Sequence, residues 1–410
     1  MTLTNWAGTW TFAAALADHP RSVGEVQRLV AESGGGVRAV GTFHSFNDLA
    51  EGRTLISLAD MPDDIELDED AATVRVPAQL PFARIAAAID ARGWALANMG
   101  SLPHISVGGA TATATHGSGL ANGNLSTSVT GLDLVTADGG LLHLDRSDPR
   151  FAGAVVHLGM LGVVTHVTLA VQPGYEVRQD VYLDVPWQAV LDDPAAVFGA
   201  GYSVSVFGHW GTDAVQVWVK TRLPGDEVPD TRWGGDRARV QMPIVGDDTD
   251  NVTVQGEPGP WHARLPHFRF DRQPSAQGEE IQSEYFVDFA DATAALSAVR
   301  ALSDRIDPLL LITELRTVAA DDLWLSTAAG RTSLGIHFTF RREAPEVKAL
   351  LPEIEAALAP FAPRPHWGKW FAMSELGGLY PRFEDAAALV RELDPDGTFR
   401  NDYTRRVLGL

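Results

Sequence analysis

The chain has 410 residues, more than a single hydrophobic core usually holds, so we expect two domains. Its formal net charge of -21, without a cluster of Lys and Arg, argues against nucleic-acid binding, and the absence of cysteine excludes disulfides, thiolate nucleophiles and Cys-ligated metals. No stretch approaches the ~18 apolar residues that span a bilayer, and residues 1–20 lack a signal-peptide pattern, so we expect a cytoplasmic protein without a membrane partner.

The first 173 residues mix short strands and helices. Ser22 and Glu25 have the spacing of a capping box, and the apolar face that follows predicts a helix over 21–36. The segment 131–145 predicts a hairpin that turns at Asp138 and Gly139. Further strands are predicted at 37–40, 54–58, 65–67, 72–76 and 162–173, and a second helix at 81–93. This pattern is typical of an α+β domain.

Residues 174–375 have a different sequence pattern, in which longer predicted strands alternate apolar and polar residues. The predicted strands lie at 202–210, 214–220, 284–289, 310–317 and 335–340, and the predicted helices at 291–306 and 345–361. This order favours an antiparallel sheet with helices on one side. Residues 376–410 predict a helix and a turn that return to the first domain.

Two loops of the first part contain glycine: Gly41–Asn47 and residues 101–119, of which the second is rich in small residues. Small residues let the backbone approach a ligand closely, and backbone N–H groups with Ser and Thr hydroxyls bind phosphate without lysine. The spacing fits neither a Walker loop nor the G-x-G-x-x-G turn. A flexible polar loop is the alternative for residues 101–119. His44, in the first loop, has four open roles: packing, general base, metal ligand or point of attachment.

Polar residues in the second part share strand faces. The period of two places Ile312, Glu314 and Arg316 on one face, and His337 and Thr339 on one face of another strand. A surface ion pair explains Glu314 and Arg316 equally well, but the apolar flanks favour a cleft.

His366 and Lys369 stand between tryptophans. Lys369 either reaches the surface or, if buried, loses its charge and acts as a base. The histidines lack the H-x-x-x-H spacing and the acidic residues lack an EF-hand pattern, so we expect no metal.

Long motifs stand in one order along nearly the whole chain: "GTFHSFN", "NMGSLPHISVGGATATATHGSG", "LGMLGVVTHVTL", "PGPWHARLPHFR", "QSEYF", "ELRTVAADDLWLS", "HFTF", "RPHWGKWF" and "LDPDGTFRN". Together they resemble the vanillyl-alcohol-oxidase family of FAD-dependent oxidoreductases, and within it the alditol (xylitol/sorbitol) oxidases. The resemblance implies an α+β, two-domain VAO/PCMH-type FAD-binding fold. It places the FAD-binding domain at 1–173, an antiparallel-sheet substrate domain covered by helices at 174–375, and a C-terminal segment that returns to the FAD domain at 376–410.

The resemblance also implies FAD linked through the 8α-methyl of its ring to His44, and the lack of cysteine agrees with a histidyl linkage alone. The sequence departs from the family pattern at Phe43, where such enzymes have a small residue. The residues that the resemblance assigns to the cofactor are Gly41, Thr42, Phe43, His44, Ser45, Phe46, Asn47, Ser101, Ser106, Gly109, Thr113, Ala114, Thr115, His116, Val164, Arg316 and His366.

The activity implied is oxidation of the terminal primary alcohol of an alditol, with hydride transfer to flavin N5 and reoxidation by O2 to give hydrogen peroxide. The residues assigned to the substrate are Ser101, Glu314, Arg316, Thr339 and Lys369, with His337 beside them. Lys369 is the candidate base, Arg316 stabilises charge on the reduced flavin, and Gly100 lets oxygen approach.

Two other functions stay open at this point. One is a sugar-1,4-lactone oxidase or dehydrogenase of the same family, and the other is a non-catalytic flavin-binding or sugar-binding protein. We expect a monomer that acts on a small polyol.

Overall fold

A computed structural model describes residues 3–14, 17–225, 227–273 and 279–410. The elements of the first part are α1 (Val23–Glu32), β1 (Val37–Val40), β2 (Thr54–Ser57), β3 (Glu66–Asp68), β4 (Thr73–Pro77), α2 (Phe82–Asp90), β5 (Trp94–Ala95), α3 (Val107–Ala112), β6 (Val129–Val135), β7 (Leu141–Asp145), α4 (Phe151–Ala154), β8 (Val163–Ala170) and β9 (Gln172–Pro173). The predicted strands and helices of this part are therefore confirmed, with ends that differ by a few residues.

The start of α1 shows how the local sequence forms its helix. The Ser22 hydroxyl accepts a hydrogen bond from the N–H of Glu25 at 3.3 Å. The Glu25 carboxylate accepts from the N–H of Arg21 at 2.7 Å instead of that of Ser22. The predicted cap is thus confirmed for Ser22, and the reciprocal contact is shifted by one residue.

Five strands of the first part form an antiparallel sheet in the order β3-β4-β8-β6-β7, and β1 and β2 form a parallel pair. The predicted hairpin is confirmed, because Val135 pairs with Leu141 and Gly139 has a φ of +79° in the turn. Besides β5 and α4, the prediction lacks α3, which lies within residues 101–119, where the sequence predicted only a loop. Its six residues are too short for a clear helical period.

The second part contains β10 (Glu176–Pro186), α5 (Trp187–Asp192), α6 (Pro194–Phe198), β11 (Ser203–Gly208), β12 (Ala214–Leu223), β13 (Thr231–Arg232), β14 (Gly235–Arg237), β15 (Pro258–Pro260), β16 (Glu280–Asp288), α7 (Ala292–Arg300), α8 (Ser303–Ile306), β17 (Leu310–Val318), β18 (Ser333–Arg341), α9 (Ala344–Leu358), β19 (Arg364–Pro365), α10 (Phe383–Leu393) and α11 (Asp402–Leu408). Two predictions need correction. The predicted helix 291–306 is two helices, because Leu302 leaves helical geometry with φ −99° and ψ 10°. The predicted final turn is followed by α11, whose capping box at Asn401 and Thr404 went unrecognised.

The large sheet is antiparallel throughout, in the order β13-β14-β10-β12-β11-β17-β18-β16-β19, with β15 beside β10. Its two faces differ in chemistry. Leu315, Ile336 and Phe338 pack into the core that the helices of this part cover, whereas Glu314 and His337 point to the opposite face. The predicted α+β fold, with an antiparallel sheet covered by helices on one side, is confirmed.

Two large apolar cores organise the chain. The first combines side chains of residues 26–177 with those of residues 376–410 and with Trp261, Leu265, Leu323, Trp324, Leu325 and Trp367. The second lies mainly between residues 182 and 358. Hydrogen bonds hold the C-terminal segment in place, since Arg38 donates to the carbonyl of Phe399 at 2.7 Å and Asn401 donates to that of Leu49 at 3.0 Å. The domain boundaries after residues 173 and 375 stay a prediction that this packing supports. Among the helices of the described ranges, none has the length and apolar character needed to cross a membrane.

Candidate active site

A continuous cavity is lined by residues of both parts of the chain. Its walls come from Gly41–Phe46, from residues 100–116, from β16, β17 and β18, and from residues 366–369. The candidate residues on it are Gly41, Thr42, Phe43, His44, Ser45, Phe46, Gly100, Ser101, Ser106, Gly109, Thr113, Thr115, His116, Val164, Glu314, Arg316, His337, Thr339, His366 and Lys369. The tertiary structure therefore brings together residues that are up to 328 positions apart in sequence, from Gly41 to Lys369.

Close contact joins the two loops of the first part. The Thr42 hydroxyl accepts a hydrogen bond from the N–H of Ser106 at 3.3 Å. A Cβ on Gly41 would collide with the side chain of Ser106, so only glycine permits this approach. Ser106 precedes α3, but its side chain makes no capping hydrogen bond and stays free for a ligand.

His44 is mostly buried at the point where the loops meet. Its Nδ1 lies 2.9 Å from the Thr42 hydroxyl, and its ring stacks on that of Trp6 with centroids 5.1 Å apart. Burial lowers the pKa of His44 to about 4, with a further contribution from the charge of His104. The imidazole is therefore neutral at neutral pH, as a nucleophile that forms a covalent bond must be.

Phe43 adopts a left-handed backbone conformation, with a φ of 58°. Such a conformation is costly for a bulky residue. Two contacts hold it: its ring meets the edge of Phe12 with centroids 5.5 Å apart, and its carbonyl accepts from the N–H of Trp6 at 2.8 Å. Only glycine would fit this backbone conformation without the strain.

Two predicted cofactor residues do not line the cavity. Asn47 donates to the carbonyls of Trp367 and Lys369, both at 2.8 Å, and so ties the first loop to the segment that carries Lys369. Ala114 is fully buried in the first core with a φ of 53°. Both residues shape the site from behind its wall.

The second loop offers hydroxyls and small residues along one wall of the cavity. Thr113 and Thr115 lie there with their hydroxyl oxygens 3.1 Å apart. A Cβ on Gly109 would crowd the Ser106 hydroxyl at 3.2 Å. This donor set, with no carboxylate among its side chains, fits the pyrophosphate of a dinucleotide such as FAD.

Glu284, a fully buried carboxylate for which the sequence predicted no role, lies behind the cavity wall at the centre of a polar group. Its Oε2 accepts from Lys369 Nζ and lies 3.3 Å from His337 Nδ1. Its Oε1 lies 3.1 Å from both Arg316 Nη2 and His116 Nε2. The period of two along β16, where Glu280, Gln282 and Glu284 share a face, was the available signal.

Charges in this group shift each other's protonation. Burial alone would raise the pKa of Glu284, but the positive charges of Lys369 and Arg316 hold it well below its ordinary value. Burial lowers the pKa of Lys369, and the charge of Glu284 offsets part of that effect. The pKa of Lys369 is lowered, as expected for a buried lysine. Its Nζ contacts Glu284 and His337, however, and not the tryptophans that flank it in sequence.

Glu314 and Arg316 are buried on the cavity face of β17. The Arg316 guanidinium donates to Ser101 Oγ at 3.0 Å, and its Nε lies 3.4 Å from Glu314 Oε1. Burial alone would raise the pKa of Glu314, but Arg316 and His267 lower it well below its ordinary value. Glu314 is therefore an ionised acceptor rather than part of a surface ion pair.

His337 and Thr339 continue this polar face on β18. His337 Nε2 lies 3.0 Å from the Thr339 hydroxyl, and its Nδ1 lies 2.8 Å from Lys369 Nζ. Burial, followed by the charge of Lys369, lowers the pKa of His337 to about 4. His337 thus links the lysine to a hydroxyl as a neutral imidazole.

His116, Glu284 and His366 have ligand atoms within 4.8 Å of one another. Glu284 already pairs with Lys369 and Arg316, whose positive charges repel a metal cation. The expectation of no metal stays a prediction.

Comparison with known proteins agrees with this geometry. The FAD binding domain family matches residues 13–145, and the D-arabinono-1,4-lactone oxidase family matches residues 276–407. The alditol oxidase of Streptomyces sp. (strain IKD472 / FERM P-14339) is 43% identical over 99% of both chains. The L-gulono-1,4-lactone dehydrogenase of Mycobacterium tuberculosis is 30% identical over 99% of both chains.

A similar fold is found in the crystal structure of cholesterol oxidase from B. sterolicum, with a TM-score of 0.80, 16% identity, and coverage of 99% of this chain and 96% of that chain. This chain belongs to the vanillyl-alcohol-oxidase family of FAD-dependent oxidoreductases. It is an FAD-dependent enzyme with a VAO/PCMH-type fold.

Proposed function

We propose that this enzyme oxidises the terminal primary alcohol of an alditol such as xylitol or sorbitol. The observation that carries the proposal is the convergence of Lys369, Glu314, Arg316, Ser101 and Thr339 on one buried wall of the cavity. Donors and acceptors placed in this way select strongly for a substrate with several hydroxyl groups. The name of the 43% identical relative, alditol oxidase, supports the same substrate class.

Lys369 is the proposed base. Its lowered pKa favours the neutral amine, and only the neutral amine has a lone pair for a hydroxyl proton. Glu284 and His337 hold its Nζ in place, and Glu284 stabilises the ammonium that forms. Arg316, which donates to Ser101, brings positive charge to the site.

When bound, FAD supplies the acceptor for two electrons, and O2 reoxidises it with release of hydrogen peroxide. We propose that His44 links it covalently, since His44 is a neutral imidazole on the cavity wall. Ser106, Gly109, Thr113 and Thr115 are the proposed pyrophosphate contacts, as their hydroxyls and small side chains on the cavity wall fit it. The monomeric state and cytoplasmic location stay predictions.

The variant Lys369→Met tests the base. It keeps the length of the side chain, and we expect it to slow anaerobic flavin reduction by xylitol by at least about a hundredfold while FAD stays bound. The matched control is Lys348→Met at an exposed lysine, for which we expect no change. Reduction of the Lys369→Met variant within a few-fold of the wild-type rate would contradict the assignment.

A sugar-1,4-lactone oxidase or dehydrogenase is the second candidate, because residues 276–407 match the D-arabinono-1,4-lactone oxidase family. Peroxide production with xylitol, sorbitol, glycerol and an aldonolactone separates the two. Greater turnover of the lactone than of any polyol would refute the main proposal. A binding protein without catalysis would stay yellow when either substrate is added without air.

A further inference from the structure

Lys220 lies on β12 with 1% of its surface exposed, and the roles proposed above do not use it. Its Nζ donates to the carbonyl of Leu265, lies 3.2 Å from that of Pro266, and lies 3.1 Å from His267 Nδ1. Three acceptors therefore surround Nζ, one for each N–H group of an ammonium, while burial lowers the pKa of Lys220 to about 7. Packing alone would be served by an apolar side chain, since burying an ammonium is costly.

The proton positions on His267 follow from this contact. Because Nδ1 accepts from Lys220, the ring proton of the neutral imidazole resides on Nε2. His267 Nε2 lies 2.8 Å from Glu314 Oε1, so the imidazole donates to that oxygen. The rings of Phe207 and Trp218 meet the ring edge-on, with centroids 5.3 and 5.7 Å away. The imidazole is therefore fixed in both orientation and tautomer.

Glu314 receives both of its contacts on the same oxygen. Oε1 accepts from His267 Nε2 and lies 3.4 Å from Arg316 Nε. Oε2 takes part in neither contact, and Glu314 lines the cavity. An ionised carboxylate held by one oxygen presents the other as an acceptor only, which favours a ligand that donates an O–H.

We propose that Lys220 and His267 are positioning residues, which hold Glu314 so that its Oε2 accepts a hydrogen bond from a substrate hydroxyl. This inference rests on the proposed polyol oxidation for its kinetic consequence. The order of donors, Lys220 to His267 to Glu314, can be tested without any substrate.

The first test measures the tautomer of His267 by ¹⁵N NMR of protein labelled at histidine, with the His267→Gln spectrum used for assignment. In the wild type we expect an unprotonated Nδ1 and a protonated Nε2. In Lys220→Met we expect Nδ1 to take up a proton at higher pH than in the wild type, because burial still lowers the pKa of His267 but the positive charge that lowers it further is gone. A protonated Nδ1 in the wild type at neutral pH, or an unchanged titration of His267 in Lys220→Met, would overturn the proposal whether or not the protein oxidises polyols.

The second test is kinetic. We expect Lys220→Met to raise the KM for xylitol about tenfold, the loss typical of one hydrogen bond to a charged group, with kcat changed by less than about twofold. His267→Gln, whose amide nitrogen replaces Nε2, should keep KM within about threefold of the wild type, and His267→Asn should not. Equal effects of these two variants would indicate a packing role and overturn the proposal.

The third test is a double-mutant cycle. In a Glu314→Gln background, Lys220→Met should change KM by less than about twofold, because the group that it positions is gone. Independent, multiplicative effects of the two substitutions would exclude action through Glu314. If the wild-type enzyme does not oxidise any polyol, the proposed function fails, and the NMR test still decides the positioning.

Discussion

Replacing Glu284 by Gln removes the negative charge at the centre of the polar cluster and keeps the shape of the side chain. In the wild type this carboxylate contacts Lys369, Arg316, His337 and His116. The amide of Gln offers one oxygen as an acceptor, whereas the carboxylate accepts from two cations at once. Lys369 and Arg316 therefore lose their shared counter-charge in a fully buried place.

Breaking a buried pair so that a charge stays uncompensated costs about 3–5 kcal/mol. An unfolding entropy of about 2.1 cal/mol/K per residue, applied to the whole chain, converts this cost to a decrease in Tm of about 3–6 °C. The matched control is Glu280→Gln, at a carboxylate on the same strand face that accepts from Gln282 and whose pKa is raised by burial. We expect it to cost less than about 1 kcal/mol.

The contribution of Glu284 to stability depends on pH, and the direction of its pKa shift gives the sign of that dependence. The folded-state pKa of Glu284 lies below its usual value of 4.5, so its stabilising contribution is complete above that pH and is lost as the pH falls through the folded-state value. The Tm difference between wild type and Glu284→Gln should therefore be largest near neutral pH and shrink below about pH 4.5.

Catalysis supplies a second readout. Glu284 raises the pKa of Lys369, so its loss should lower that pKa and make the neutral base available at lower pH. The acid limb of the flavin-reduction rate, measured by anaerobic stopped-flow, should move to lower pH. Two results would refute the role of Glu284: an unchanged Tm together with an unchanged acid limb of the rate, or an acid limb that moves to higher pH.

Three further predictions follow from the loops. His44→Ala should release FAD into the supernatant after acid precipitation, whereas the wild-type pellet should stay yellow and give a flavin peptide within residues 41–53; a yellow His44→Ala pellet would place the link elsewhere. Gly100→Val should slow reoxidation by O2 at least about tenfold with little effect on reduction, because its Cβ would already lie 3.5 Å from the carbonyl of His116 and the added methyl groups fill the remaining space. A normal reoxidation rate in stopped-flow would remove Gly100 from the oxygen path. Phe43→Gly should be more stable than Phe43→Ala by about 1 kcal/mol in urea unfolding, since both lose the contact with Phe12 but only alanine is strained at a φ of 58°. The reverse order would show that this backbone conformation is not adopted.

Local patterns in the sequence were sufficient for most elements of the fold. The alternation in β17 and β18 correctly placed Glu314 with Arg316, and His337 with Thr339, because side chains of a strand alternate between faces whatever surrounds them. The order of long motifs identified the family, and Gly41, the one glycine of the first loop, lies in close contact with Ser106 of the second. The break at Leu302 and the short α3 were missed, since neither has a pattern long enough to read.

The sequence by itself determined many of the elements, though not α3, β10 or α11, and it determined the family and which polar side chains share a strand face. Only the tertiary structure decided the partners of those side chains: Glu284 beneath Lys369 and Arg316, and Lys220 and His267 behind Glu314. These contacts depend on strand order and register, and they join residues such as Ser101 and Arg316 across 215 positions. Distances of that kind are set by how the sheet packs against the loops, and no local period encodes them.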